Sequence, residues 1–441
     1  MVRTLSVRQG GGTVRLTAPD DAPITEHGIR DDLPAAPDLA AALRTALEPL
    51  RRGDFARLAA GRHLALLIDD ATRSEPHAAE LEACLELCAD LKPAAVTIFV
   101  CTGTHEAKLP ENVELERELR AIVAASRHPA ATLIVHDCRG PAVDRGRTTR
   151  GTRVLVNARS EEADLFLAVS DMKNHYFAGY SNPVKGLVPG ISAFETARGN
   201  HSLALDPGST FGSHPWHPDP ARRAHPLAAD MVEAAALILR GRPAFALCLF
   251  TRGRRELLWA DCGPMSEVAG RGMAFVDAAT SVTVAPARRV IVTAGGHPLD
   301  ESLYTAQRAL ELTKNAMRPG AEVLFFAACR NGIGPHEAVR GFYERLKPDL
   351  DEVLRSFEGE YEMYSHKTYK FARMLKEVGA IRVVSDLDRK VLEAVHLKKE
   401  DDPQARLDRW LKDDPLAPIL VFHDASKLAV YAAQPQPARR R

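Results

Sequence analysis

Short β-branched and aliphatic runs alternate along this chain with longer amphipathic stretches, and that alternation restricts the fold more than any other feature. The runs "HLALLID" (63–69), "AAVTIFVCTG" (94–103), "ATLIVHD" (131–137) and "DLFLAVSD" (164–171) read as strands. The stretches between them read as helices. One is "EPHAAELEACLELCADL" from Glu75, whose acidic opening turn suits the positive end of a helix dipole. A second series follows: "RRVIVTAGG" (288–296), a helix after Asp300, "AEVLFFAAC" (321–329), "AIRVVSD" (380–386) and an apolar run over 418–423. Strand and helix in alternation give a mostly parallel sheet covered by helices, so the expected class is α/β with two doubly wound, Rossmann-like domains. The expected domains are residues 1–275 and 276–441, joined by a linker near residue 275. Between the series, "LDPGSTFGSHPWHPDP" (205–220) reads as a long loop of the kind that is functional or mobile.

At 441 residues, 45% hydrophobic and 26% charged, the chain has room for two cores. Its 58 basic and 58 acidic residues cancel, which argues against nucleic acid or an anionic membrane surface as partners. The closing Arg439, Arg440 and Arg441 read as a frayed tail. The first residues lack the apolar core of a signal peptide, and runs such as "AEVLFFAAC" are too short to span a bilayer, so a cytoplasmic protein is expected. Seven scattered cysteines, with only Cys84 and Cys88 close together, suit buried thiols in a reducing compartment.

Ligands of parallel α/β sheets bind beyond the carboxyl ends of the strands, and four such ends carry unusual residues. In "LLIDDATRSEP" a strand runs into Asp69, Asp70, Thr72 and Arg73. Short polar residues there also serve as helix caps, whereas an arginine can clamp a carboxylate or phosphate with its planar fork. In "VCTGTHEAKLP", Gly103 permits close backbone approach between Thr102 and Thr104, and His105 stands at the strand's mouth. "AVSDMKNHYFAGY" places His175 similarly. One such histidine alone is usually a hydrogen-bonding residue, but two at neighbouring strand ends shift that reading toward catalysis, since one acid and one base facing a common pocket is a standard arrangement for moving protons. In "VTAGGHPLDESLYTAQR" a Gly pair, weak by itself as a phosphate signal, leads to a helix carrying Tyr304, Thr305 and Arg308.

The ordered set "DDATR", "TGTH", "NH" before an aromatic and Gly stretch, "KGLVPGIS" with "ARGNH", and "AGGHPLDESLY" resembles the nickel-dependent lactate racemase family of nickel-pincer 2-hydroxyacid racemases and epimerases. The likeness runs from about Asp69 to Arg308 and includes spacing: His175 to Lys185 is ten residues and Lys185 to His201 sixteen. It implies an isomerase whose Lys185 is joined through a thioamide to a nickel-pincer nucleotide, with His201 as the protein's own nickel ligand. Imidazole and sulfur ligands in a planar site suit nickel. By composition alone Lys185 reads as a solvated loop lysine, and the family spacing reverses that reading. The implied reaction is hydride abstraction from a 2-hydroxy acid and its return through a keto acid. His105 and His175 would exchange the roles of general base and acid, and Arg73 would hold the substrate carboxylate. Asp70, Thr72, Gly103 and Thr104 are candidates for the cofactor's ribose and phosphate, and Tyr304, Thr305 and Arg308 for substrate. The expected site lies in the cleft between the domains, and the expected partners are a small 2-hydroxy acid and the proteins that build the cofactor. Lactate racemases carry Gln and Lys where Thr305 and Arg308 stand. A broader arginine fork suits a substrate with an added carboxylate, such as malate.

Two other enzyme readings remain on the residues alone. A different nucleotide-binding enzyme would suit the doubly wound pattern, but no phosphate loop occurs, and "GGG" at 10–12 lacks the dinucleotide spacing. A zinc hydrolase could use His214 and His217 of "SHPWHP", although no third ligand stands at a familiar distance. A metal-binding protein without activity is the non-enzymatic alternative. The stretch 362–375, "EMYSHKTYKFARML", reads as an amphipathic helix with His366, Tyr369 and Phe371 as candidates to face the cleft, and 401–415 as a surface helix with Trp410 on its apolar side.

Overall fold

The structure is a computed structural model that describes residues 1–433 apart from 74, 127, 129, 254–255, 335–338 and 359–360. The arginine tail expected at 439–441 lies outside the described residues. The chain divides into two compact units, Asp32–Asp277 and a second made of Met1–Asp31 with Ala278–Arg441.

The second unit takes the first three strands, β1 (Val2–Gln9), β2 (Gly12–Pro19) and β3 (Ile24–His27). β1 and β2 form an antiparallel hairpin across the Gly10–Gly11 turn, the place of the "GGG" run.

The Asp32–Asp277 unit begins with helix α1 (Leu39–Arg52), capped by Asp38, which accepts from the Ala41 N–H at 3.0 Å. Strands β4 (His63–Asp69), β5 (Ala95–Cys101) and β6 (Ala131–Val135) follow, separated by helices α2 (His77–Leu91) and α3 (Pro110–Ala125). β7 (Leu165–Asp171) leads into the small hairpin β8 (Lys173–His175) and β9 (Gly179–Ser181). Next come the one-turn helix α4 (Val184–Leu187), α5 (Phe194–Ser202), α6 (Pro226–Leu239), and strands β10 (Ala244–Arg252) and β11 (Glu256–Pro264). The main sheet has the order β11-β10-β7-β4-β5-β6, parallel except for β11. Alternation along β4 divides its side chains. Leu64, Leu66 and Ile68 join Leu43, Leu81 and Leu115 of the helices in one core, while Leu67 faces α4. Strand order reverses at β4, which makes its carboxyl end the topological switch point.

In the second unit, β12 (Ala287–Thr293), β13 (Met317–Phe326), β14 (Ala380–Val384), β15 (Lys398–Lys399) and β16 (Ile419–Phe422) pair with β3 in the order β15-β14-β13-β12-β16-β3, all parallel. The helices include α7 (Leu303–Thr313), α8 (Ser365–Glu377) and α9 (Pro403–Asp413). Leu5, Val7 and Leu16 of the first hairpin pack with Ile291, Phe326, Trp410 and Val421. Each unit is α/β and doubly wound, as the sequence implies.

Two expectations are corrected. Met1–Asp31 belongs with the C-terminal residues, because β3 pairs with β16 in the register Ile24↔Ile419 to His27↔Phe422 and the hairpin completes that core. Residue 275 is not in a linker: it lies inside the continuous helix Met265–Thr280.

Candidate functional site

The switch point carries a buried carboxylate–imidazole pair. Asp70, 1% exposed directly after β4, lies 2.8 Å from His105 Nδ1 and accepts from the Thr72 hydroxyl at 2.6 Å. Burial alone would raise the Asp70 carboxyl. The His105 ring, its hydrogen bond and Arg73 outweigh that and hold it down at about 2. An ionised carboxylate only accepts, so Nδ1 of His105 donates and a neutral ring carries its lone pair on Nε2.

His175 is set the other way. It ends β8, and its Nδ1 accepts from the Ala178 backbone N–H at 3.2 Å, so a neutral ring holds its proton on Nε2. The hairpin that fixes this geometry needs a glycine at 179. Its φ is +75°, and a Cβ there would stand 1.8 Å from the Ser213 carbonyl oxygen. Phe177, at the hairpin's tip, meets three candidates: its ring lies 4.5 Å from the His175 ring, 5.4 Å from the His201 ring and 6.0 Å from the Lys185 Nζ.

Lys185 is 8% exposed in α4, whose start is fixed by Asn182 accepting from the Val184 N–H at 3.0 Å. His201 sits in α5. Burial first, then the Lys185 ammonium and His105, push its imidazole down to about 3 against a hydrogen bond to the Ala197 carbonyl, so it is neutral at physiological pH. Gly103, at φ +58°, donates its N–H to the Gly190 carbonyl at 3.0 Å, and a Cβ there would press on Pro189 at 3.2 Å. The "TGTH" turn thus docks on the "VPG" segment beyond Lys185. Thr104 is buried in the same turn. Beneath it, Thr102 donates to the His136 carbonyl at 2.6 Å, and His136 donates to the Ser192 carbonyl at 2.9 Å.

Beside these residues lies a charge cluster that strand-end reasoning did not reveal. Lys173, 2% exposed, bonds Asp171 and stands 3.9 Å from Glu75. Burial, then Asp171, push Glu75 up to about 8, with Lys173 opposing. Arg73 belongs to the same group. Burial works against its charge, but Asp69, Asp70, Glu75 and Asp171 outweigh it and keep the guanidinium protonated. The signal was present in "SDMKNH", where charged residues continue an apolar strand without a turn.

The remaining candidates lie in the other unit. Tyr304 and Thr305 occupy the first turn of α7, whose cap Ser302 accepts from the Thr305 N–H at 3.3 Å, and Arg308 follows one turn on. The Gly295–Gly296 pair after β12 serves the fold: a Cβ at Gly296 would lie 2.9 Å from the Gly10 carbonyl, and Asp300 accepts from the Gly10 N–H at 2.7 Å. The alternative zinc pair is held by protein groups. His214 contacts Asn182 at 3.4 Å and accepts from the Trp216 N–H, while His217 bonds Asp277 at 2.9 Å. Asp277 also binds Tyr180 and Arg222, so the 205–220 loop is pinned to the β8–β9 hairpin. Among the described residues, no group of three His, Cys, Asp or Glu is arranged to hold a metal ion. All seven cysteines are unbridged, and no described helix is long and apolar enough to cross a membrane.

A parallel sheet whose switch point holds a buried carboxylate–imidazole pair has the usual build of an α/β enzyme, with polar residues gathered beyond the carboxyl ends of its strands. Comparison with known proteins narrows the class. Residues 10–212 match the lactate racemase N-terminal domain and residues 282–411 the lactate racemase C-terminal domain. The lactate racemase of Thermoanaerobacterium thermosaccharolyticum is 27% identical over 319 residues, 71% of each chain. That of Lactiplantibacillus plantarum is 24% identical over 386 residues, 85% of this chain and 87% of its own. The structure of the lactate racemase apoprotein from T. thermosaccharolyticum has a TM-score of 0.81, covering 97% of this chain and 100% of that one at 23% identity. A protein from Thermotoga maritima shares the fold more distantly, with a TM-score of 0.67 at 14% identity over 91% of this chain and all of its own. The chain belongs to the lactate racemase family and is an isomerase, a racemase.

Proposed function

We propose that this racemase inverts the hydroxyl-bearing carbon of a small 2-hydroxy acid, lactate-like or malate-like, with a nickel-pincer nucleotide tethered to Lys185 and His201 as the protein's metal ligand. The observation that carries the reading is the pair of histidines held in opposite tautomers, His105 by Asp70 and His175 by the Ala178 N–H. The residues present fit such a group. His201 is a buried, neutral imidazole with a lone pair to give, and Lys185 is a nearly buried amine whose charge acts directly on it. Acylating Lys185 would remove an ammonium that burial makes costly. When bound, the group supplies a reversible acceptor for the hydrogen on the inverted carbon.

The chain's own residues do the rest. His105 Nε2 takes the hydroxyl proton from one enantiomer, and His175 returns a proton from Nε2 to form the other, with the roles exchanged when the direction reverses. Asp70 steadies the imidazolium that forms on His105. Arg73, held protonated by its carboxylate neighbours, is assigned to the substrate carboxylate. Asp70, Thr72 and Thr104 are assigned to the nucleotide's ribose and phosphate, with Gly103 shaping the turn that carries them, and Tyr304, Thr305 and Arg308 to the substrate. The keto acid formed on losing both hydrogens would be flat at that carbon and would have no handedness, so which histidine returns the proton would decide the product. Proteins that build the cofactor are implied as partners, and the unbridged cysteines suit a cytoplasmic setting.

The test is the mass of the Lys185 peptide from protein made with nickel and the cofactor-building enzymes. A mass gain absent from Lys185→Ala, with racemisation of a 2-hydroxy acid by chiral analysis, is expected. An unmodified Lys185 under conditions that load a lactate racemase overturns the tether.

A further inference from the structure

Glu75 has no part in the function derived so far, yet its surroundings are unusual for a carboxylate. It stands just before α2 and is 3% exposed. Among the described residues, neither of its carboxyl oxygens has a hydrogen-bond partner. The Lys173 ammonium, 3.9 Å from Oε1, is bonded to Asp171, and Nε2 of His77 in α2 stands 3.9 Å from Oε2. A buried carboxylate without hydrogen bonds is costly, and a proton removes that cost. Neighbouring charges favour the proton too. Asp171 at the end of β7 and Asp69 at the end of β4 act on Glu75 as like charges, against Lys173 in β8 and Arg73. Glu80, in the first turn of α2, is pushed up by burial and then by Glu75, so it also favours its neutral form. Glu75 is therefore neutral at physiological pH and ionises at about 8. Arg73, two residues earlier, is half-buried, and Glu75 is one of the four carboxyls whose charge acts on its guanidinium.

We propose that Glu75 is a positioning residue for Arg73: when neutral it leaves the guanidinium to the substrate carboxylate, and when ionised it draws the guanidinium into the cluster and repels the anionic substrate. The proposal rests on the racemase reading, in which Arg73 takes that carboxylate. Glu75 bonds neither His105 nor His175, so its ionisation acts on substrate affinity and not on the proton-moving step. In a dry cluster the added charge is poorly screened, which makes the effect large. Binding and protonation are linked. An anion seated on Arg73 stabilises the neutral form of Glu75, so substrate binding takes up a proton in the range where Glu75 would otherwise be ionised.

The experiment follows kcat and KM for lactate and malate in cofactor-loaded wild type, Glu75→Gln and Glu75→Asp across neutral and alkaline pH. In the same preparations, the rate at which phenylglyoxal modifies Arg73 is read from the mass of its peptide. Above the pH at which Glu75 ionises, wild-type KM should rise about tenfold per pH unit. Glu75→Gln, neutral at every pH, should keep the low KM throughout, and Glu75→Asp should restore a rise. The rate of Arg73 modification in wild type, relative to Glu75→Gln, should fall about tenfold over the same range. A KM that rises equally in wild type and Glu75→Gln, or a loss in Glu75→Gln confined to kcat, overturns the proposal. A loaded wild type that racemises neither acid defeats the racemase reading instead. Arg73 modification then still decides Glu75, since a relative rate constant with pH, or an Arg73 that never reacts, is incompatible with its role.

Discussion

An ionised Asp70 fixes which nitrogen of His105 carries the proton, so exchanging its carboxylate for an amide alters the chemistry while keeping the shape. Asp70→Asn should lower kcat by about 10²- to 10⁴-fold and leave KM little changed, as steady-state kinetics on the loaded enzyme would show. The same variant tests the linkage to pH. A carboxyl held at about 2 in the fold, below its ordinary 3.8, contributes stability above pH 4 and loses it as pH falls toward 2. The stability gap between wild type and Asp70→Asn should therefore be about 2 kcal/mol near neutrality and close below pH 3 in denaturant titrations. At this scale much of the site could be read directly, because Asp70, Arg73, His105 and His175 all follow recognisable strands. Glu75 could not be read in that way, and Asp171 and Lys173 showed only as charges continuing the strand 164–171. Charge in a sequence says nothing about burial, and only the packed structure shows Lys173 enclosed between two acidic side chains.

The β8–β9 hairpin is the element on which the site depends, since it sets His175 and Phe177 and leads into α4. Gly179→Ala would place a methyl group on the Ser213 carbonyl and force an alanine into a left-handed conformation. A loss of about 2 kcal/mol or more in unfolding free energy is expected, with a larger fractional loss of activity than of stability. Equal stability in Gly179→Ala would mean that the hairpin can shift away from the loop at no cost. Long apolar strands such as His63–Asp69 and Leu165–Asp171 are legible because five or more consecutive side chains enter a core. The three-residue strands of this hairpin carry mostly polar residues and leave no periodic trace. The first hairpin is faint in the sequence for a different reason: its alternation places only Leu5 and Val7 of β1, and Leu16 and Ala18 of β2, in the core. α9 was legible through its flanking prolines and the buried Trp410.

For the molecule as a whole, the doubly wound architecture was legible, but the path of the chain between the two units was not. Nothing local in Ile24–His27 announces that its partner strand is Ile419–Phe422. A chain lacking Met1–Asp31 should lose amide protection in β16 and around Trp410 while His63–Asp69 keeps its own, as hydrogen exchange with mass spectrometry would read. Full protection in both sheets would mean that the second core does not need the leading hairpin.

This path also orders events on the ribosome. The leading 31 residues emerge first, but β16 follows only after the whole Asp32–Asp277 unit has been made. At ordinary rates of synthesis, that delay is on the order of 20–80 s. Throughout it, the Asp32–Asp277 unit can complete its sheet, whereas the newborn β3 has an open edge and no partner, the kind of segment that holding chaperones bind.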